Sequence, residues 1–339
     1  MSEERRILVT GGAGFIGSNF IRYLLRSAAG GRGRTKIVNL DKLTYSGNPD
    51  NLKDVEKDRR YRFVKGDICD RRLAFDLVKK CDFVVNFAAE THVDRSIRDS
   101  TAFIKTNILG TQVLMDAARN ALASKGGRFK KFIQIGTDEV YGSVLRGYSD
   151  EGSPLLPNSP YAASKAAADL LVRSYYITYG FPAVITRSSN NFGPYQYPEK
   201  MIPLFITNLL EGRKVPLYAD GSNMRDWIYV GDNCAAVSFV LDKGRPGEIY
   251  NIGGGNELKN IELTRSILKT LKRPESFIRY VRDRPGHDKR YALDSSKLHS
   301  LGWRPASGGM REKLKHTLEW YRKNVRWWKR LKKKKEKFW

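Results

Sequence analysis

The segment RRILVTGGAGFIG at residues 5–17 leaves few folds open. Its apolar run reads as a strand buried on both faces, the kind found at the centre of a parallel sheet. Glycines follow at Gly11, Gly14 and Gly17, and the amphipathic stretch FIGSNFIRYLLRSA continues as a helix. A glycine-rich turn between a strand and a helix lets backbone amides and the helix N-terminus hold a pyrophosphate, here at Gly11, Gly14, Phe15, Ile16 and Gly17.

The rest of the first half repeats the alternation. Strand-like KIVNLD (36–41), YRFVKGDI (61–68), DFVVNFAA (82–89), KKFIQIGT (130–137) and FPAVITRSSN (181–190) are separated by helical patterns at 71–80, 101–122 and 161–179, with a loop AAGGRGR before the second strand. Such alternation predicts right-handed crossovers and an α/β, doubly wound parallel sheet of Rossmann type. The later part is richer in Pro and Gly turns. The expected division is a dinucleotide-binding domain over 1–187, a smaller substrate-binding region over 188–320 with an interleaved boundary, and a basic aromatic tail over 321–339.

Three further features carry chemistry. Asp41 ends the second strand, where a carboxylate accepts from both ribose hydroxyls and repels a 2′-phosphate; NAD is therefore expected rather than NADP, a preference that the neighbouring Lys42 softens. Asp67 ends the third strand and is read as a partner for the adenine amine, or else as a turn-forming Asp. In Tyr161-Ala-Ala-Ser-Lys165 a spacing of four puts phenol and ammonium on one helix face. A free tyrosine is a poor base at neutral pH, and a neighbouring ammonium together with a positive nicotinamide ring favours its phenolate. The triplet Thr137-Asp138-Glu139 follows a strand, at the sheet edge where such folds bind ligands. A dehydrogenase or epimerase needs only the hydroxyl and the tyrosine. Adjacent carboxylates add a proton donor and an acceptor, which elimination of water requires.

The chain resembles the dTDP-glucose 4,6-dehydratases of the extended short-chain dehydrogenase/reductase family, to about residue 320. The likeness is carried by TGGAGFIGSNF, LDKLTYSGN, GDICD, AAETHVDRSI, TNILGT, TDEVYG, SPYAASKAAAD, RSSNNFGPYQYPEKMIPLFI, MRDWIYVGD, YNIGGGNELKN and DRPGHDKRYALD. It implies oxidation of the sugar at carbon 4, loss of water across carbons 5 and 6, and hydride return to carbon 6. Thr137, Asp138, Glu139, Tyr161 and Lys165 become the catalytic set. Asp41, Thr44, Asp67, Ile68, Ala88, Ala89 and Thr106 line the NAD site, and Thr91, Asn190, Asn191, Lys200, Arg225, Asn260, Arg284 and His287 hold the sugar nucleotide. The family commonly has Ser at the position of Thr91, which keeps the hydroxyl. A UDP-sugar enzyme of the same fold (dehydratase, epimerase or decarboxylase) is the alternative substrate reading. A non-catalytic NAD-sensing protein is the alternative class.

The net charge of +25 raises the question of a nucleic-acid partner, but its distribution argues against a specific one. Residues 321–339 hold ten Lys/Arg against Glu336, interleaved with Trp327, Trp328, Phe338 and Trp339. This tail is expected to be a solvated, partly helical arm that contributes nothing to the active site, with docking on an anionic surface or packing down as a charged helix as the alternatives. Three cysteines without CxxC spacing predict neither a disulfide framework nor a zinc site, and no residue spacing suggests another metal. With no leader or membrane-length apolar run, the expectation is a cytoplasmic protein. Apolar positions on the helices at 101–122 and 161–179 (Ile104, Ile108, Leu114, Leu170, Leu171, Tyr175 and Tyr176) predict a homodimer.

Overall fold

The computed structural model describes residues 4–29 and 35–336, so much of the AAGGRGR loop and both Phe338 and Trp339 lie outside the described residues. A seven-stranded parallel sheet forms its centre, from β1 (Arg5–Thr10), β2 (Thr35–Asp41), β3 (Tyr61–Lys65), β4 (Phe83–Asn86), β5 (Lys131–Thr137), β6 (Ala183–Ser188) and, much later in the chain, Ile249–Ile252. The chain runs outward from β1 to β2 and β3, then returns to place β4 on the other side of β1. This reversal opens a crevice at the carboxyl ends of β1 and β4, where doubly wound sheets bind ligands.

Helices cover both faces. α1 (Phe15–Ala29) lies on one, and α2 (Arg71–Val78) packs against the helix at Thr111–Ala123 on the other. Asp70 caps α2 by accepting from the Leu73 amide at 3.1 Å. After β4 come α3 (Val93–Arg98) and α4 (Thr101–Phe103), then a π-helical stretch Ile104–Gly110 that leads into α5 (Thr111–Ala123). The single helix expected at 101–122 is thus widened in its first half. Asn107 explains where: its side chain bonds both the Glu90 backbone and the Ser164 hydroxyl, and its carbonyl accepts from the Thr111 hydroxyl at 2.7 Å.

α6 (Pro160–Tyr179) starts at Ser159, which accepts from the Ala162 amide, has Pro at its first turn, and ends at left-handed Gly180. Beyond β6 the chain forms β7 (Asn190–Phe192), α7 (Met201–Leu210), β8 (Val215–Tyr218) and β9 (Met224–Tyr229). It then returns to the large sheet through α8 (Val230–Lys243), which packs on α1, and β10 (Ile249–Ile252), which pairs with β6. The last elements are β11 (Glu257–Lys259), α9 (Asn260–Thr270), β12 (Ile278–Val281), α10 (Ser296–Ser300), α11 (Met310–Lys323) and α12 (Val325–Glu336). β11, β9 and β7 make one small sheet, and β12 with β8 another. A separate core joins them, with Phe192, Phe205, Trp227, Leu263, Leu318 and Tyr321 inside it.

Two expectations are corrected. The tail is not a solvated arm: Trp328 is 1% exposed within that second core, and its indole N–H donates to the Tyr321 carbonyl at 2.9 Å. Leu331 lies one helical turn beyond the adjacent Trp327 and Trp328, so a stripe hidden in a basic run packs inward. Leu114 is fully buried in its own chain's core and offers nothing to a partner. Ile104, Leu170 and Tyr176 are exposed, as are Leu109, Ile177 and Tyr179. Among the described residues no helix is long and apolar enough to cross a membrane.

Candidate active site

The glycine turn sets the floor of a long cavity. Gly11 has φ +65°, and a Cβ there would lie 2.6 Å from the Ala88 amide nitrogen. A Cβ on Gly17 would lie 2.5 Å from the Gly11 carbonyl, so α1 can approach the turn this closely only without a side chain. The resulting cradle opens at the N-terminus of α1 beside Gly14, Phe15 and Ile16, which suits a pyrophosphate.

Asp41, buried at the end of β2, accepts from the Ala13 amide at 2.9 Å and the Leu43 amide at 2.7 Å. Burial raises its pKa while these two bonds oppose the shift. Lys42 does not stand free beside it, because its ammonium pairs with Asp67 at 2.8 Å. Asp67 therefore faces the same cavity already paired to a lysine. Thr44, Ile68, Ala88, Ala89 and Thr106 line that cavity too, with Thr106 carried on the π-helical stretch. Every sequence-predicted dinucleotide residue thus lies on one wall system.

The reacting groups gather where this cavity meets a second. β5 delivers Thr137 at its end, and the Thr137 hydroxyl caps the short turn Asp138–Tyr141, accepting from the Glu139 amide and donating to Asp138 Oδ1 at 3.1 Å. Asp138 is 3% exposed, and its Oδ2 has no hydrogen-bond partner. Burial and then the Glu139 charge hold its pKa well above the usual carboxylate range. Glu139 is also raised by burial, against the pull of Arg284, Lys200 and Arg225. Neighbouring carboxyls are thereby set apart in role, with Asp138 the one held in its protonated form.

Tyr161 and Lys165 line the dinucleotide cavity from α6. Burial and the Glu139 charge push the phenol up, and hydrogen bonding to Thr137 partly offsets them. Burial lowers the Lys165 ammonium to about 8, and its Nζ donates to the Ile135 carbonyl. The protein alone thus disfavours the phenolate that the Tyr-Lys spacing promised. Beneath them Asp169 pairs with Arg187 at 2.9 Å, and Arg187 donates to the Tyr141 hydroxyl. That buried pair fixes the base of α6 against β6.

The second cavity collects Asn190, Asn191, Lys200, Arg225, Asn260, Arg284 and His287, with Glu139 at its inner end. Thr91 differs: it lines the dinucleotide cavity, and its carbonyl receives the Lys200 ammonium at 2.8 Å. The Arg225 guanidinium, expected to fork onto phosphate, donates to the Met224 and Asp288 carbonyls and stacks 4.3 Å from the Tyr291 ring centre. Arg284 lies 3.7 Å from Asp94, and burial lowers the His287 imidazole although Asp283 sits 2.6 Å away. Pro216, Leu217, Tyr218 and Phe205 add an apolar wall next to these cations. A cavity that joins an apolar wall, amide oxygens and three basic side chains suits a base linked to a diphosphate.

Sequence reasoning missed several walls. Tyr45, Glu90, Tyr195, Tyr197 and Glu199 line the dinucleotide cavity, as do Trp327 and Leu331 from α12. The apolar spacing within the tail was the one available signal for the last two.

The comparisons agree with this geometry. Residues 8–316 match the family model described as GDP-mannose 4,6 dehydratase. A dTDP-glucose 4,6-dehydratase of Streptomyces niveus is 52% identical over 96% of each chain. The low-salt glycan biosynthesis protein Agl12 of Haloferax volcanii is 53% identical over 88% of this chain and 93% of its own. Among solved structures, the dTDP-glucose 4,6-dehydratase DesIV of Streptomyces venezuelae, with NAD bound, superposes at a TM-score of 0.92 with 50% identity, covering 96% of this chain and 99% of that one. The UDP-glucose 4-epimerase of Thermus thermophilus, also with NAD, shares the fold at TM-score 0.84 and 31% identity over 94% of this chain and 100% of its own.

Proposed function

Since the chain belongs to the GDP-mannose 4,6-dehydratase family and, within it, to the dTDP-glucose 4,6-dehydratases, we propose that it converts dTDP-glucose to dTDP-4-keto-6-deoxyglucose with NAD as a resident cofactor. The observation that carries this reading is the Thr137-Asp138-Glu139 triplet beside Tyr161, with Thr137 and Asp138 buried and Glu139 lining both cavities where they meet. An epimerase has no use for two carboxyls there.

NAD fits the first cavity through the side-chain-free cradle at Gly11 and Gly17, and through Asp41, whose carboxylate lines that cavity at the end of β2 and would accept from ribose hydroxyls. When bound, the nicotinamide takes a hydride from carbon 4 of the sugar and later returns it to carbon 6, and its positive charge favours a phenolate nearby. The protein's own groups supply the proton movements. Tyr161 removes the proton of the 4-hydroxyl while Thr137 hydrogen-bonds that oxygen. Lys165, lowered by burial to about 8 and still mostly cationic at neutral pH, gives up the Ile135 carbonyl to hold ribose hydroxyls and the phenolate. The new ketone acidifies the proton on carbon 5, which Glu139 takes. Asp138, kept protonated by burial, gives its proton to the 6-hydroxyl as it leaves as water. Reprotonation at carbon 5 by Glu139 completes the product.

In the second cavity Arg225, Arg284 and Lys200 hold the diphosphate, His287 and Asn260 add hydrogen bonds and Asn190 orients the sugar, with Thr91 reaching it from the dinucleotide cavity. The free thiols Cys69, Cys81 and Cys234 suit a reducing cytoplasm. The exposed apolar strip of Ile104, Leu109, Leu170, Tyr176 and Ile177 supports a two-fold homodimer through the 101–123 and α6 helices, and light scattering near twice 38.6 kDa is the expected result.

Turnover of dTDP-glucose and UDP-glucose side by side tests the nucleotide. One methyl is worth about 1–3 kcal/mol in a pocket, so dTDP-glucose should win by about 10-fold or more in kcat/KM. A UDP-glucose preference of that size would overturn the nucleotide assignment while leaving the reaction.

A further inference from the structure

The C-terminal helix touches both halves of the molecule. On the substrate side, Trp328 is embedded in the second core, and Lys332 donates to Asn208 at 2.9 Å and to Glu211 at 2.6 Å at the end of α7. On the dinucleotide side, the Trp327 indole N–H donates to Asn51 Oδ1 at 2.9 Å, and Arg330 pairs with Asp50. Asn51 is 1% exposed, and its amide donates in turn to the Ala13 carbonyl at 2.9 Å. Ala13 belongs to the glycine turn itself. A single side chain therefore separates the C-terminal helix from the pyrophosphate cradle.

Trp327 and Leu331, four residues apart on α12, share a face, and that face lines the dinucleotide cavity. Trp327 is fixed on its other sides by Trp320 at 5.0 Å and Tyr195 at 6.0 Å between ring centres. Tyr195 also lines the cavity, in a left-handed backbone conformation (φ +68°) under the Arg22 guanidinium, 3.9 Å from its ring. A non-glycine residue held at positive φ marks a position that its surroundings over-determine. The aromatic wall is thus braced from α1, α11 and α12 together.

We propose that Trp327 and Leu331 are cofactor-retaining residues: the C-terminal helix supplies the outer wall of the dinucleotide cavity and slows escape of NAD between turnovers. The inference rests on the reading of this cavity as the NAD site. The reaction gives it a purpose, because a hydride taken and returned within one cycle leaves no reason for the cofactor to exchange.

The test is the release rate of bound NAD from the full-length holoprotein, followed as fluorescent etheno-NAD replaces it, with the melting temperature recorded alongside. Trp327→Ala should release NAD at least about 10-fold faster, as expected from loss of one aromatic wall worth somewhat more than 1 kcal/mol. Leu331→Ala, a milder change on the same face, should accelerate release by a smaller factor. Trp327→Phe, which keeps the ring and loses the bond to Asn51, should fall between wild type and Trp327→Ala. Both alanine variants should melt within a few degrees of wild type. Wild-type release rates in both would overturn the proposal, as would faster release that appears only where melting collapses. A wild-type protein that holds no NAD would instead remove the underlying reading of the cavity, and this inference with it.

Discussion

The two cavities that meet at Glu139 differ in how far the protein has already satisfied them. In the dinucleotide cavity, Asp41 holds two backbone amides, Asp67 holds Lys42, and the glycine turn is bonded through Asn51 to Trp327. In the substrate cavity the Asn260 side-chain oxygen is buried without a partner, and so are those of Asn190 and Asn191, which line both cavities where they meet; the Arg225 and Lys200 donors rest on backbone carbonyls. Leaving buried oxygens unpaired costs stability, and a ligand that pairs them recovers it. The contrast suits a cofactor that stays and a substrate that comes and goes. Preorganisation belongs on the side that does not exchange.

The sharpest way to stress that contrast is at the junction. Tyr161→Phe should lower kcat by about 10²–10⁴-fold while NAD content stays at the wild-type level, since the phenol acts on the sugar and not on cofactor binding. Lost NAD in this variant would blur the division between the halves. Glu139→Gln should lose turnover on the same scale, about 10²–10⁴-fold, yet still permit oxidation at carbon 4. A single-turnover absorbance trace should then show reduced cofactor accumulating, and its absence would remove Glu139 from the elimination step.

On the substrate side, Arg225→Ala should raise KM for the sugar nucleotide by about 10–100-fold, the range of a hydrogen bond to a charged group, with NAD content unchanged. Comparable loss of NAD would show that the two cavities are energetically one. The pH profile offers a gentler probe. Glu139 must be deprotonated, so kcat falls as pH drops through its raised pKa; Asp138 must be protonated, so kcat falls as pH rises through its own, higher pKa. A bell-shaped profile is expected, with the basic limb missing in Asp138→Asn. The smallest effect should come from Thr91→Ser, which keeps the hydroxyl at the meeting point, and kcat/KM should change by less than about threefold, within what one buried methyl group contributes.

Legibility in the sequence followed the same division. The strand-turn-helix at 5–29, Asp41, the Thr137 triplet and the Tyr161-Lys165 pair could be read directly, because each is local and its spacing states its geometry. The substrate residues came only by resemblance, since Arg225, Arg284 and His287 sit on separate turns that the fold alone brings together. Lys165 was read from helical spacing toward Tyr161, but spacing does not reveal the Ile135 carbonyl across the sheet that holds it. The tail was misread for a physical reason. Net charge dominated the reading of 321–339, whereas burial was decided by Trp328 and Leu331, one helical turn apart. The π-helical stretch at Ile104–Gly110 was equally hidden, because it depends on what Asn107 meets in α6 and in the loop after β4.

The central claim is that one bound cofactor moves a hydride within a single sugar, from carbon 4 to carbon 6. The most direct measurement supplies dTDP-glucose deuterated at carbon 4 to the holoprotein, without added reductant, and reads the product by mass spectrometry and NMR. One deuterium is expected in the carbon 6 methyl group of the 4-keto-6-deoxy product. Deuterium retained at carbon 4 of an epimerised sugar, or released into a free reduced cofactor, would contradict it.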